Sequence, residues 1–320
     1  MTEPYVRADV KGVLDMLAAQ EGPKMSEVSA PEAREMMSAM VHLMERPRGE
    51  LHAVKDVAIP SGHGHDIPAR IYHPKAPEGE APALVFYHGG GWVIGDLDTH
   101  DAFCAEAARQ LGMAVVSVDY RLAPEHRFPA AGEDCIAATK WVAGSPAELD
   151  FPVSGVIVSG DSAGGNMAAI VAQACTGKMP VPILAQWLIY PGVDMTAQSG
   201  SMEDFADGYL LTKESMEWFS AHYLGSEEDV EDQRASPLKA ESLAGQPRAL
   251  VFTCGLDPLR DQGRAYAARL IESGVRVIYR EAAGQIHGCI TLRQAIPSAQ
   301  EDVSACIRDL KHLLNEALPA

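Results

Sequence analysis

Residues 160–164 read Gly160-Asp161-Ser162-Ala163-Gly164, and they directly follow the apolar run Gly155-Val156-Ile157-Val158-Ser159. A short run rich in β-branched residues is typical of a buried strand. The next segment, Asn166 to Cys175, is rich in helix formers and ends before a glycine. The pattern therefore predicts a strand-to-helix turn that carries Ser162, with glycines on both sides that let the strand and the helix approach closely.

A serine on such a turn is typical of a catalytic nucleophile, although the short motif also occurs as an ordinary glycine turn. A second feature favours catalysis, because His88-Gly89-Gly90-Gly91-Trp92 follows the strand-like run Ala83–Tyr87. Consecutive glycines leave backbone N–H groups unobstructed, and such donors stabilise the negative oxygen of a tetrahedral intermediate. We expect the N–H groups of Gly90, Gly91 and Ala163 to form this oxyanion hole. The spacing does not fit a phosphate-binding loop.

A serine nucleophile needs a base, and in this class of fold the chain order is serine, acid, histidine. Three histidines follow Ser162. His222 and His312 lie in the predicted helices 214–224 and 303–318. His287 instead lies in the loop 284–288, after the alternating strand pattern 275–280, and a base belongs on such a loop at the carboxyl edge of a sheet. We therefore predict His287 as the base.

The acid that orients this histidine should also follow a strand. Asp257 comes closely after the apolar run Ala249–Gly255 and is the predicted residue. Asp261 is the second candidate, but we expect it one turn into the next helix, where Arg260 or Arg264 would pair with it. Asp194, after the strand-like residues 184–190, is a third candidate.

These motifs resemble the bacterial hormone-sensitive lipase family of carboxylesterases, within the α/β-hydrolases. The resemblance covers residues 88–287, and Gln262 departs from it where many relatives carry glutamate. It implies an α/β-hydrolase fold, with a mostly parallel central sheet flanked by helices and a helical cap. It also implies Ser162 as nucleophile, His287 as general base and acid, Asp257 as the orienting acid, short to medium acyl esters as substrates, and no cofactor. The residues expected to support the site are His88, Gly89, Gly160, Asp161 and Gly164.

The domain organisation follows from the same resemblance. Residues 1–50 are predicted to be N-terminal cap helices, over residues 8–20 and 29–45, and Ser29 with Glu32 fits a capping box. Residues 51–320 are predicted to form the catalytic domain, with a second cap segment at about 195–240. That segment contains apolar residues suited to an adaptable acyl pocket, namely Phe205, Tyr209, Leu210, Leu211, Met216, Trp218 and Phe219. Arg121, in the motif Asp119–Glu125, is expected to hold the glycine loop through charge-assisted bonds.

Composition and sequence patterning disfavour several kinds of partner and location. A chain of 320 residues with a formal charge of −18 disfavours nucleic acid and anionic membrane as partners. The first residues lack a secretory pattern, and the apolar stretch Val181–Tyr190 is too short to cross a bilayer. Six scattered cysteines are typical of reduced thiols, so we expect a cytoplasmic protein.

No metal site is expected either. The segment Gly62-His63-Gly64-His65-Asp66 is predicted to be the link of a β-hairpin, since no matching ligand cluster accompanies it. Family members are often homodimers, but the sequence does not indicate an interface.

The sequence thus predicts a serine carboxylesterase acting on a small-molecule ester. Two kinds of alternative stay open. The same triad serves amidases, deacetylases and long-chain lipases, and a non-catalytic ligand receptor can share the fold, although such receptors typically lose the histidine. Fold-level analogy does not supply the natural substrate.

Overall fold

The computed structural model describes residues 4–20, 22–198 and 200–315. From residue 81 onward, strands and helices alternate as the sequence predicts. The strands are β1 (Ala53–Pro60), β2 (Asp66–His73), β3 (Ala81–Tyr87), β4 (Ala114–Val118), β5 (Val153–Asp161), β6 (Ile183–Ile189), β7 (Ala249–Leu256) and β8 (Val277–Ile286). The helices are α1 (Ala8–Ala18), α2 (Ala30–Met44), α3 (Asp101–Leu111), α4 (Ala130–Ala143), α5 (Ala163–Cys175), α6 (Ser201–Asp204), α7 (Lys213–Tyr223), α8 (Arg260–Glu272) and α9 (Pro297–Asn315).

The strands form one sheet in the order β1-β2-β4-β3-β5-β6-β7-β8. Strand β2 runs antiparallel to both of its neighbours, whereas every pairing from β4 to β8 is parallel. This confirms the predicted α/β class and the mostly parallel sheet. Because β3, β5, β7 and β8 point the same way, the segments that follow them meet at one edge.

Helices cover both faces of the sheet, and the strands between them are buried on both sides. Along β3, Leu84 and Phe86 pack into the core that contains α3 and α9, whereas Val85 and Tyr87 pack into the core that contains α4 and α5. Neighbouring strand residues thus alternate between two apolar cores. This explains why these strands are continuous apolar runs in the sequence.

Two element boundaries differ from the prediction by six residues each. Strand β8 continues to Ile286, where it pairs with Leu256 of β7 after a register shift, so the loop before His287 is shorter than predicted. Helix α9 begins at Pro297, six residues before the predicted start. Proline is well suited to the first turn of a helix, because its missing N–H would have no partner there. The predicted helix residues 316–318 lie outside the described part of the chain, as do the last residues of the predicted catalytic domain.

The N-terminal region contains the helices that the sequence predicts. Helix α2 starts after Ser29, whose N–H donates to the Glu32 carboxylate at 2.9 Å, which confirms the capping box. Strands β1 and β2 pair as the predicted hairpin.

All six cysteines are buried free thiols. The assignment of residues 1–50 and about 195–240 as cap segments stays a prediction. Across the described ranges, no helix is long and apolar enough to cross a bilayer.

Candidate active site

Ser162 occupies the turn between the end of β5 and the start of α5. Its backbone has φ 56° and ψ −117°, a strained conformation for a residue with a side chain. The flanking glycines explain how the turn fits. A Cβ on Gly164 would lie 1.9 Å from the carbonyl oxygen of Tyr87, and one on Gly160 would lie 2.3 Å from the carbonyl oxygen of Gly164. Only glycine permits this close approach, which agrees with the expected turn.

The three residues predicted as nucleophile, base and acid are connected by hydrogen bonds. Nε2 of His287 lies 2.8 Å from Oγ of Ser162, and Nδ1 of the same imidazole lies 2.8 Å from Oδ2 of Asp257. Asp257 is fully buried, and its other oxygen accepts the N–H of Leu259 at 2.8 Å. The ring of Tyr190 packs 4.5 Å from the imidazole. This continuous chain of bonds can move a proton from a serine hydroxyl to an imidazole held by a carboxylate.

The two other candidate acids have different partners. Asp261 lies in the first turn of α8, where its carboxylate pairs with Arg260 and Arg264, as the sequence suggests. It also accepts the N–H of Ser201 at 2.9 Å. The carboxylate of Asp194 instead accepts from the hydroxyl of Thr196 at 2.6 Å.

The glycine loop after β3 places free N–H groups near Ser162. Gly90 and Gly91 have positive φ angles of 120° and 57°. The carbonyl of Gly90 accepts from the N–H groups of Val93 and Ile94, whereas the N–H groups of Gly90 and Gly91 make no bond to another described residue. Ala163 is the first residue of α5, so its N–H also lacks a helical partner. Among the described residues, none of these three N–H groups has a hydrogen-bond partner.

Asp161 connects the glycine loop to the serine turn. Its Oδ1 accepts the N–H of Gly89 at 2.7 Å and lies 3.1 Å from Nε2 of His100. Its Oδ2 accepts the hydroxyl of Tyr190 at 3.3 Å. Although burial raises the pKa of Asp161, the charges of His100 and His287 and the N–H of Gly89 bring that pKa below its usual value. Asp161 is therefore an ionised anchor for the loop.

Sequence reasoning missed His100 as the partner of this anchor. The histidine is 1% exposed, and its Nδ1 lies 3.0 Å from the hydroxyl of the preceding residue, Thr99. One signal was available in the sequence. Asp161 comes just after a predicted buried strand, and a buried carboxylate requires a donor or a positive partner.

The same His88–Gly89 peptide of the glycine loop is fixed on its carbonyl side by Tyr120, not by Arg121. The hydroxyl of Tyr120 donates to the carbonyl of His88 at 2.7 Å, and the two rings stack at 4.4 Å. Burial and the neighbouring His100 lower the pKa of His88 to about 4, so His88 is neutral near pH 7. The prediction for Arg121 is wrong, because its guanidinium binds the buried carboxylate of Asp134 at 2.8 and 2.9 Å.

Two cavities meet at the serine. The larger has a volume of about 720 Å³ and the smaller about 290 Å³, and both are lined by Gly91, Ser162, Leu211 and Phe219. Of the other apolar residues predicted for the acyl pocket, Leu210 lines the larger cavity and Met216 the smaller. The remaining three, which are Phe205, Tyr209 and Trp218, are not among the described lining residues of either cavity.

The histidines of the hairpin link take no part in the site. His65 bonds through Nε2 to Asp134 at 2.9 Å. In the portion of the chain that the structure describes, no three His, Cys, Asp or Glu side chains are grouped as metal ligands.

Comparison with known proteins assigns the family. Residues 84–291 match a protein-family model whose description is the alpha/beta hydrolase fold. The chain is also 46% identical over 270 residues to the carboxylic ester hydrolase LipN of Mycobacterium tuberculosis, covering 82% of this chain and 70% of that protein. The chain belongs to the bacterial hormone-sensitive lipase family of carboxylesterases. It is a carboxylic ester hydrolase with the α/β-hydrolase fold.

Other relatives of this carboxylesterase align over almost the whole chain. The ethyl acetate hydrolase of Pseudomonas putida is 34% identical over 294 residues, covering 91% of this chain and 92% of that protein. An ester hydrolase from the metagenome of Lake Arreo, solved with a bipyridine phosphonate derivative, superposes with a TM-score of 0.92 at 36% identity. The superposition covers 98% of this chain and 100% of the Lake Arreo chain.

Proposed function

We propose that this carboxylesterase cleaves its substrates with Ser162 as nucleophile, His287 as general base and acid, and Asp257 as the orienting acid. The observation that carries the proposal is the chain of two 2.8 Å contacts from Ser162 through His287 to Asp257. As Oγ attacks the ester carbonyl, Nε2 of His287 accepts its proton. Asp257 holds the proton on Nδ1 and stabilises the imidazolium that forms.

The carbonyl oxygen becomes an oxyanion in this step, and the N–H groups of Gly90, Gly91 and Ala163 stabilise it. Because the loop is already held by Asp161 and Tyr120, these donors need little rearrangement when charge develops. One such donor is worth about 10²–10³ in rate.

The tetrahedral intermediate then breaks down to an acyl-enzyme. His287 gives its proton to the leaving alkoxide, and the alcohol departs. The same histidine then takes a proton from water as the water oxygen attacks the acyl carbon. It returns this proton to Oγ of Ser162 when the second tetrahedral intermediate breaks down and the carboxylic acid leaves. Two products that leave in separate steps give ping-pong kinetics.

Short to medium acyl chains are the proposed substrates. The larger cavity at Ser162 is bounded by side chains of α1, α2 and the segment 207–219, which supports the proposal that these segments cap the site. The similarity to an ethyl acetate hydrolase also supports a small acyl group. An amidase or deacetylase would use the same triad, so the ratio of amide to ester hydrolysis must be measured as well.

Hydrolysis of p-nitrophenyl esters from acetate to palmitate, by the wild type and by Ser162→Ala, tests the proposal. We expect turnover to peak at short or medium acyl length and to disappear in the variant. Ser159→Ala is a matched control, since its buried hydroxyl in β5 has no described partner. It should retain full activity. A folded wild type that binds these esters without turnover would instead support a ligand receptor.

The pH dependence tests the role of His287. A protonated imidazole cannot accept the serine proton, so kcat/KM should fall in acid. A profile that stays flat down to about pH 4 would contradict His287 as the base.

A further inference from the structure

The two cavities differ in which catalytic groups they contain. His287, Gly288 and Thr291 line the larger cavity, and none of them lines the smaller one. Ala163, Trp92 and Leu259 line only the smaller cavity. The base and the first residue of α5 therefore mark different sides of the serine hydroxyl.

We propose that the alcohol half of the ester occupies the larger cavity and the acyl half the smaller, so that the preferred substrates are short-acyl esters of bulky, apolar alcohols. The proposal rests on the proposed roles of Ser162 and His287. Nε2 of His287 must protonate the leaving alkoxide, which therefore has to lie within hydrogen-bond reach of the imidazole. The alcohol group attached to that oxygen then extends into the cavity that His287 lines. The acyl chain, on another bond of the same carbon, points away from it.

The lining of the larger cavity sets the chemistry of the alcohol. Its volume of about 720 Å³ is in the range that holds a drug-sized molecule, whereas about 290 Å³ is at the lower limit of that range. Five of the lining residues are methionines, whose flexible thioether side chains suit ligands of varied shape. They are Met25, Met36, Met37, Met40 and Met44. A chain or ring without charge fits against these side chains, where a charged alcohol would lose hydration. Of the charged residues that also line the cavity, Lys24 and Glu214 already pair with each other at 2.8 Å.

Phe219 lies where the two cavities meet and is the predicted specificity determinant. The side chain is 7% exposed and lines both cavities. Its ring lies so close to Gly91 that a Cβ on that glycine would be 2.2 Å from Cγ of the phenyl ring. Trp218 packs against the ring edge-to-face at 5.3 Å, which limits its movement. The ring therefore limits the length of the acyl chain that the smaller cavity accepts.

Isomeric ester pairs test the orientation directly, because each pair has the same atoms and differs only in which half is large. Octyl acetate is compared with ethyl octanoate, and benzyl acetate with methyl phenylacetate. We expect kcat/KM to be at least about tenfold higher for the acetate of each pair, within the range that pocket fit supplies. Equal values, or faster cleavage of ethyl octanoate, would overturn the proposal. If no ester is cleaved, the proposed function fails instead.

Two sets of variants assign the cavities. Met40→Trp places a larger side chain in the larger cavity, and should reduce kcat/KM for octyl acetate about tenfold more than for ethyl acetate. Met16→Trp is the matched control, because Met16 lies on α1, is 38% exposed and does not line either cavity. It should leave both values unchanged. A larger loss on ethyl octanoate than on octyl acetate in Met40→Trp would reverse the assignment.

Phe219→Leu and Phe219→Ala should both raise the ratio of ethyl octanoate to octyl acetate hydrolysis, and the alanine should raise it more. The ratio does not depend on the fraction of active enzyme, so it remains informative if the alanine variant is partly unfolded. A ratio that stays constant in a folded Phe219→Leu would contradict the partition.

Discussion

Ser162 has a backbone conformation that a residue with a side chain rarely adopts, and its neighbours determine whether this conformation persists. The Ser162 N–H donates to the carbonyl of Ile189 at 2.9 Å, and its own carbonyl accepts from Asn166 at 3.0 Å. The flanking glycines remove the clashes that would otherwise separate α5 from β5 and from the end of β3. The strain at the serine is thus balanced by ordinary hydrogen bonds on both sides.

Gly164→Ala tests this close approach. The new Cβ would lie 1.9 Å from the carbonyl oxygen of Tyr87, so we expect destabilisation of about 3 kcal/mol or more and loss of esterase activity. Thermal unfolding and the rate on p-nitrophenyl acetate measure both effects. Gly12→Ala is the control, because its Cβ meets nothing within 4 Å in α1. It should stabilise the protein by about 0.5–1 kcal/mol. Equal melting temperatures for the two variants would contradict the packing argument.

A second residue, Asp119, links pH to stability. Burial, together with the charges of Asp96 and Asp98, raises the pKa of Asp119 to about 6. An unfolded aspartate has a pKa of about 3.9, so between about pH 4 and 6 the folded state binds more protons than the unfolded state. Ionisation of the folded carboxylate therefore lowers the free energy of unfolding. The full penalty is present above about pH 6, and it disappears as the pH falls from about 6 to 4.

Asp119→Asn should remove the penalty. We expect the variant to be more stable than the wild type by about 1–2 kcal/mol at pH 8, a value reduced for the partial exposure of the side chain, and the difference to vanish near pH 4. Urea unfolding at several pH values measures it. Asp15→Asn, at an exposed site on α1, is the control. Its difference from the wild type in the free energy of unfolding should stay constant over this range of pH. A pH-independent gain in Asp119→Asn would contradict the argument.

At the scale of elements, one buried ion pair attaches α2 to the rest of the protein. Glu45, which follows α2, binds the guanidinium of Arg293 at 2.7 and 2.9 Å and also accepts its backbone N–H at 3.0 Å. Both side chains are at least nine-tenths buried. Arg293 lies in the segment between His287 and α9, so this contact holds the end of a helix that lines the larger cavity against the segment after the proposed base.

Glu45→Ala should destabilise the protein by about 3–5 kcal/mol, because it leaves a buried guanidinium without its carboxylate. Asp15→Asn breaks the exposed pair of Lys11 and Asp15 and should change stability by less than about 0.5 kcal/mol. Denaturant unfolding of both variants provides the comparison. Similar small losses in the two would show that the buried pair is not needed to hold α2.

Over the whole molecule, acidic side chains outnumber basic ones by 44 to 26. Part of this charge is paired locally, for example where Arg70 bonds with Asp56 and Asp98. The excess negative charge remains and destabilises a compact state through self-repulsion. Salt should therefore act on this carboxylesterase as a stabiliser.

We expect the melting temperature at pH 8 to rise by a few degrees when sodium chloride increases ionic strength from about 0.01 to 0.15 M, as the Debye length shortens from about 30 to 8 Å. Differential scanning fluorimetry measures the shift. Sucrose at equal osmolality is the control, since it acts by exclusion from the surface and not by screening. A fall in melting temperature with salt would mean that attractive pairs dominate over the net charge.

The sequence by itself determined the features that depend on neighbours in the chain. The β-branched run and two glycines around Ser162 predict the turn because strand propensity and freedom from a Cβ act locally. The alternation of strands and helices along the chain predicts the parallel sheet. Asp257 and His287 follow two of its strands, so they meet at one edge. The capping box at Ser29 was predictable for the same reason, since its partners are three residues apart.

Only the tertiary structure decided which distant groups become partners. His100 meets Asp161, Tyr120 meets the carbonyl of His88, and Arg121 turns to Asp134, because helices and loops from separate segments pack on one sheet. Neither propensity nor periodicity encodes such contacts, which depend on packing between elements. The position of Phe219 between two cavities has the same origin. Its helix is visible in the sequence, but the space on each side of its ring exists only after the chain has folded.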